Sequence, residues 1–404
     1  MKKKQQKWMK FRHRVVRNVA MAILYPYSKI KYGIKIDKFK EQGDRPYLIL
    51  YNHQTAFDQF FVGMAFKGPI YYLASEDLFS KGFVSSALRY LVAPIPIKKQ
   101  TTDIAAVLNC MRVAKEGGTI AIAPEGNRTY SGKTEYMSPS IAMLAKKLKL
   151  PIVLYHITGG FGVHPRWSDT LRKGKMHCYV SQVIEPDEYE NLTDDELFAI
   201  IEKGLFINEG IADEIFKSDK TAEYLERAVY VCPYCGLSEF ESHGREIECK
   251  KCHRVVIYGD DKRLSGKDFD FKFDFFTEWY DYQKDFVNAL DVSQYYEQPM
   301  YCDESSFSEV IVNERKNMIF EEANIKLYGN KITVNEGDAD EMVFPFDEVT
   351  AVSVLGRNKL NIYHNKKVYQ LKSGKRFNAL KYVNIYYRYK NVSKGDTDGK
   401  FLGL

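Results

Sequence analysis

The sequence predicts an α/β domain, with a central sheet flanked by helices. A small cysteine-rich unit follows, and then a β-rich, barrel-like C-terminal domain closed by a helix. Three observations carry this prediction. Between residues 41 and about 217, short apolar runs alternate with amphipathic stretches, the order of a sheet covered on both faces. Four of the seven cysteines fall in two CxxC pairs. From about Phe307 onward, β-prone runs are separated by turn signals such as Gly329-Asn330 and Asn365-Lys366.

A chain of 404 residues with 45% hydrophobic side chains is long and apolar enough for two or three packed domains. The reading divides it into residues 1–40, 41–217, 228–259, a linker at 260–306, and 307–404. The net charge of +6 is uneven. Residues 1–40 hold thirteen Lys or Arg against one acid, Asp37, so the arm carries +12 and the remainder −6. In that arm Trp8, Met9, Phe11, Val15, Val16, Val19, Ala20, Ile23 and Leu24 recur at helical spacing among Lys7, Lys10, Arg12, Arg14 and Arg17. This is a basic amphipathic helix of the kind that lies in a membrane interface and is drawn to anionic lipid. Packing of its apolar face on the protein's own body is the bland alternative. Pro26 is expected to end or kink the helix. Neither a membrane-spanning helix nor a signal peptide is expected, because no apolar run is long enough and Arg12, Arg14 and Arg17 interrupt the first one. A peripheral place on the cytoplasmic face of a membrane follows.

The next elements are taken in order. Tyr47–Tyr51 reads as a buried strand that stops at Asn52-His53, and Asp58 follows just before the helical run Phe60–Phe66. A strand ending in Asn-His places an imidazole at the carboxyl edge of a sheet, where open α/β sheets put their chemistry. Asp58 can fold back and hold one ring nitrogen, leaving the other to take a proton. Asp58 as an ordinary helix-start residue is the competing reading. Strands at Pro69–Ala74, Ile95–Lys99, Thr119–Ala123 and Pro151–Tyr155 alternate with helices at Phe83–Leu91, Thr102–Lys115 and Ser140–Lys149. A helix over Thr193–Phe216 closes the domain, with Thr193 and Glu196 as a capping box. The strand at Thr119–Ala123 delivers Pro124-Glu125-Gly126-Asn127-Arg128, where Gly126 permits close backbone approach and Arg128 suits an oxyanion such as phosphate.

Together these stretches resemble the glycerophosphate and lysophospholipid acyltransferase family. Its NHxxxxD signature is matched by Asn52, His53 and Asp58. Its FPEGTRS signature is matched by Pro124, Glu125, Gly126 and Arg128. A third, GxxFIxR, is matched loosely, with Ala93, Pro96 and Lys99 in place of Gly, Phe and Arg. The resemblance implies that His53 and Asp58 are catalytic. It further implies that Asn52, Lys99, Glu125, Gly126 and Arg128 serve the acceptor. The donor would be acyl-CoA or acyl carrier protein, and the acceptor a lysophosphatidic acid-type lipid. No nucleophilic serine or cysteine lies beside the motifs, so direct attack by the acceptor hydroxyl is expected, with His53 as base. Another lysophospholipid or glycerol-3-phosphate as acceptor, and a non-catalytic lipid-binding scaffold, are the rival readings.

Cys232, Cys235, Cys249 and Cys252 form CxxC-x13-CxxC, a spacing that suits four thiolates around one structural Zn²⁺ and resembles a zinc ribbon. Glu239, Glu241, Glu246 and Glu248 make this unit too acidic for an obvious nucleic-acid face, so no nucleic-acid partner is expected. The strands then run Met318–Glu321, Ile325–Tyr328, Lys331–Val334, Met342–Phe346, Val349–Val354, Leu360–Tyr363 and Lys367–Leu371, closed by a helix over Arg376–Tyr389. That pattern resembles a pleckstrin-homology or GRAM-like barrel.

Overall fold

The computed structural model describes residues 7–79, 83–97, 103–211, 214–311, 315–396 and 401–403. The chain forms two compact units: Met1–Pro165 with Lys173–Ala212, and Arg166–Arg172 with Asp213–Leu404.

The first unit begins with helix α1 (Phe11–Tyr32), which continues past Pro26. Pro26 does not end the helix. Proline removes one backbone donor, and here the flanking turns carry the helix across it until Gly33 adopts φ 59°. Strand β1 (Ile34–Ile36), β2 (Leu48–Tyr51), α2 (Asp58–Ala65), β3 (Ile70–Ser75), α3 (Phe83–Leu91), β4 (Ile95–Ile97), α4 (Ile104–Lys115), β5 (Thr119–Ile122) and α5 (Ser140–Leu148) follow. Then come β6 (Ile152–Thr158), α6 (Gly160–Val163), β7 (Met176–Ile184), α7 (Pro186–Tyr189) and α8 (Asp194–Leu205). The sheet order is β1-β7-β6-β2-β5-β3-β4, parallel except where β6 and β7 pair antiparallel.

β2 is the switch point of this sheet. From it the chain moves to one side for β3, β4 and β5, and to the other for β6 and β7. All four of its residues are buried, as a parallel strand covered on both faces requires. Leu48, Leu50, Ile120, Ile122, Ile152 and Leu154 pack with Ile141, Ala142 and Ala145 of α5 and Leu197 and Ile201 of α8. Each buried aliphatic side chain contributes about 1.5–3 kcal/mol. Helix α8 starts on the expected capping box, with the Thr193 hydroxyl accepting from Glu196 N–H. It stops at Leu205 and not at Phe216: Phe206 is extended, and the next turn holds Glu209, whose carboxylate accepts the N–H of Gly159.

The face that α1 turns inward mixes polar residues with half-buried Val16, Ala20, Met21 and Leu24. His13 and Ser28 are buried, and the Arg17 guanidinium donates to the carbonyls of Gly63 and Phe66 at the end of α2. Lys38 donates to Met64 O at the same helix end. Two cations therefore meet the carbonyl pole of α2. Phe11, Val15, Val19, Ile23, Tyr27 and Ile30, four or three residues apart, form an exposed stripe on the other face; Ile30 is 87% exposed.

In the second unit, β8 (Val231–Cys232) and β9 (Gly236–Leu237) form a two-stranded knuckle. Strands β10 (Phe240–His243), β11 (Glu246–Cys249), β12 (Val255–Tyr258) and β13 (Leu264–Gly266) make an antiparallel meander, and α9 (Phe276–Ala289) follows. Seven further strands come next: β14 (Tyr301–Ile311), β15 (Arg315–Leu327), β16 (Lys331–Val334), β17 (Met342–Pro345), β18 (Val349–Leu355), β19 (Lys359–His364) and β20 (Lys367–Ser373). They form a curled antiparallel sheet ordered β17-β16-β15-β14-β20-β19-β18, closed by α10 (Leu380–Ser393).

The count of seven agrees with the expectation, but the strands divide differently. Met318–Glu321 and Ile325–Tyr328 are one strand, β15, because the break between them is only a register shift against β14. β14 begins in the stretch expected to be linker. The Asn365-Lys366 turn has φ 50° and 63°, the two left-handed residues of a tight hairpin. Arg166–Arg172 lie between α6 and β7 in sequence yet belong to this unit. Trp167 is fully buried there, and Arg227 donates to Trp167 O (2.8 Å) and to Asp169 Oδ1 (2.7 Å).

Candidate active site

The chemistry-bearing residues collect at the carboxyl edges of β2 and β5, which are neighbours in the sheet. Past Tyr51 the chain leaves the sheet and turns before α2, and Asp58, the first residue of α2, reaches back across that turn. Its carboxylate is fully buried and collects four donor groups. The His53 ring nitrogen Nδ1 lies 2.8 Å from Oδ2. The N–H of Gln54 donates to Oδ2 at 2.7 Å, the N–H of Thr55 to both oxygens at 2.9 Å, and the Thr55 hydroxyl to Oδ1 at 2.7 Å. The competing reading of Asp58 as a plain helix-start residue does not describe this geometry: the carboxylate takes donors from the preceding loop, outside its own helix.

The consequence is a fixed imidazole. With its Nδ1 proton directed at Asp58, the basic nitrogen of neutral His53 is Nε2. The His53 side chain is 22% exposed, so a ligand can reach it from solvent while its orienting partner stays dry. Positive charge appearing on the ring when it takes a proton is met by the Asp58 carboxylate.

The other expected residues divide into two groups. Gly126 is exposed at φ 67°, a left-handed backbone that glycine takes without strain, and Arg128 is half-buried on the same loop. Asn52 and Glu125 were expected on the acceptor, but their polar groups meet main-chain partners. Asn52 is buried, its Nδ2 donates to Ile157 O (2.9 Å), and its Oδ1 accepts from Ile157 N–H (2.8 Å). It clamps the end of β2 to β6. Glu125 is 6% exposed, and its two oxygens accept from His53 N–H (2.8 Å) and Glu135 N–H (3.0 Å). Burial pushes its carboxyl up to about 8, against the pull of those N–H groups. Lys99 lies outside the described residues. Ala93, which stands where the GxxFIxR pattern has glycine, adopts φ 45°. The conformation explains the pattern, since glycine alone occupies it at no steric cost.

Some supporting residues were not singled out by sequence. Thr129 N–H donates to His53 O (3.0 Å), so the loop after β5 holds both main-chain groups of the histidine. Gly160 packs against Gln54 and Thr55; a Cβ there would lie 2.6 Å from Gln54 Cβ. The only signals for these were a hydroxyl next to Arg128 and a Gly-Gly pair after β6. A groove of about 610 Å³ along β7 is lined by Asp37–Glu41, His177 and Tyr179–Val183, and none of the site residues borders it.

In the second unit the four cysteines meet. Their sulfurs all lie within 4.8 Å of one another, with Cys232–Cys252 at 3.7 Å and Cys235–Cys249 at 3.5 Å. Thiolates bound tetrahedrally at about 2.3 Å from a Zn²⁺ would be roughly 3.8 Å apart, so the cluster has the dimensions of a four-thiolate metal site. The Ser238 hydroxyl lies 3.1 Å from Cys249 Sγ and adds a polar neighbour to one sulfur.

The first unit of the chain is similar to known acyltransferases in sequence. A family model described as Acyltransferase matches residues 33–157. The chain is 22% identical over 192 residues to a chloroplastic 1-acyl-sn-glycerol-3-phosphate acyltransferase of Brassica napus, covering 46% of this chain and 54% of that one. It is 21% identical over 179 residues to 1-acyl-sn-glycerol-3-phosphate acyltransferase of Bacillus subtilis, covering 44% of this chain and 86% of that one. Among solved structures, the 1-acyl-sn-glycerophosphate (LPA) acyltransferase PlsC from Thermotoga maritima aligns over 48% of this chain and 75% of that one, at 20% identity and a TM-score of 0.39. The chain spans about half the length of the plant relative that it matches. The match to the Acyltransferase family model is confined to residues 33–157, and both loops of the His53 site lie inside that stretch.

Proposed function

We propose that the protein transfers a fatty acyl group from a thioester to the free hydroxyl of a lysophosphatidic acid-type lipid. The observation that carries this is the His53–Asp58 pair at the switch point of the sheet, inside the acyltransferase domain. His53 Nε2 takes the hydroxyl proton as the oxygen attacks the thioester carbonyl carbon. The new C–O bond forms, the C–S bond breaks, and the imidazolium returns its proton to the departing thiolate. Asp58 orients the ring throughout and offsets its transient charge. The turn at Gly126 and the guanidinium of Arg128 are the groups on this edge suited to the acceptor's phosphate, and Lys99 is assigned to the same task from the sequence pattern. The donor is acyl-CoA or acyl carrier protein.

The exposed stripe of α1, with Arg14 and Lys29 also exposed on the helix, supports docking on an anionic lipid surface, where both substrates of such a reaction gather. No helix of the described residues is long and apolar enough to cross a membrane. We assign the cysteine cluster to one structural Zn²⁺ held by Cys232, Cys235, Cys249 and Cys252. The curled sheet is read as an accessory lipid- or partner-binding module of the pleckstrin-homology or GRAM-like type. The test of the reaction is product analysis. Protein incubated with oleoyl-CoA and lysophosphatidic acid should yield phosphatidic acid by mass spectrometry. Absence of any acylated lipid with acyl-CoA and acyl carrier protein donors, across several lysolipids, would favour the scaffold reading.

A further inference from the structure

We propose that Glu125 is a positioning residue, which fixes His53 through the main chain and does not grip the acceptor. This rests on His53 being the base. β2 has ended at Tyr51, so no strand ladder holds the histidine's own peptide groups. The loop after β5 takes over that task. Glu125 Oε1 accepts the His53 N–H, and Thr129 N–H donates to the His53 carbonyl. With Nδ1 on Asp58, the catalytic residue is held at three points, two of them from the neighbouring strand's loop. The second Glu125 oxygen is anchored on Glu135 N–H, which fixes the carboxylate itself. At 6% exposure Glu125 offers almost no surface to a ligand, whereas Gly126 beside it is open. A buried carboxyl group bridging the peptide N–H groups of His53 and Glu135 is a costly element unless it holds something whose placement matters. The imidazole is such a group, since a displacement of about 1 Å costs on the order of 100-fold in rate.

The experiment compares Glu125→Ala and Glu125→Gln with wild type in the full chain, reading kcat, acceptor KM and hydrogen exchange of the His53 backbone amide. Glu125→Ala should lower kcat by about 100-fold and leave acceptor KM within about twofold. It should also expose the His53 amide to fast exchange. Glu125→Gln keeps one acceptor oxygen, so it should restore part of both the protection and kcat. An acceptor KM raised tenfold or more at unchanged kcat, with His53 protection intact, would overturn the proposal and return Glu125 to the acceptor. Amide exchange is read without turnover. If wild type transferred no acyl group to any acceptor, the proposed reaction would fail, while loss of His53 protection in Glu125→Ala would still show the clasp.

Discussion

Around Asp58, four donors supplied by the chain itself converge on one carboxylate. Around the cysteine cluster, four sulfurs drawn from two turns converge on one another. The first site is organised by the protein's own main chain and belongs to a strand-edge loop that the parallel sheet already positions. The second unites ligands fourteen residues apart in a region whose strands are two to four residues long. Such short strands offer few ladder hydrogen bonds, so a cation held by the proposed metal site would add to the cohesion that Val231, Ile247, Val256 and Tyr258 supply by burial. Residue spacing announces both kinds of site, but the energy that assembles them comes from different places. Perturbing one should spare the other.

The largest effect is expected at the metal. Zinc binding contributes about 10–16 kcal/mol to the folding of small four-ligand domains. Cys249→Ser, or a strong chelator, should remove about one zinc per chain and strip hydrogen-exchange protection from the cysteine knuckle and meander, β8–β13. Loss of protection confined to the first unit would show that the cysteine cluster does not hold β8–β13 together. The next effect is on substrate. Arg128→Ala should raise acceptor KM by roughly tenfold or more, with the thioester KM little changed, as expected for a lost bidentate contact to phosphate. Equal changes in both values would place Arg128 elsewhere. A third effect is a pH dependence of stability. Burial holds the Glu125 carboxyl at about 8. A carboxyl pKa raised above its unfolded value of ~4.3 stabilises the fold fully below that value, and the contribution is lost as pH rises towards 8. Measured against Glu125→Gln, wild type should therefore lose stability steadily between pH 5 and 8. A constant difference in unfolding midpoint would contradict the buried placement.

Much of this was legible because periodicity and spacing are local. The strands β2, β5 and β6 are continuous apolar runs, and β2 carries its histidine at the point where the run stops. The capping box of α8 and the tight turn at Asn365-Lys366 are short-range chemistry, and both appear where the residues indicated. What the sequence did not reveal depends on distant partners. α1 passes through Pro26, and Arg17, counted among lipid-seeking cations, is instead spent on the carbonyls of α2. The inward and outward faces of α1 were open questions, because an apolar stripe looks the same whether it meets a core or a lipid. Asn52 and Glu125 carry the motif's residue types, yet their partners, Ile157 and Glu135, are fixed only once β6 and the loop after β5 are in place. Trp167 gives no sign in sequence that its loop belongs to the second unit.

The most direct measurement is thiol release from a long-chain acyl-CoA by wild type and His53→Ala, each with and without lysophosphatidic acid, with unfolding midpoints recorded alongside. Wild type should release thiol only when the acceptor is present. The variant should fall by about 10²–10⁴-fold at an unchanged midpoint, the range expected for loss of a general base. A folded His53→Ala protein that turned over as fast as wild type would contradict the account.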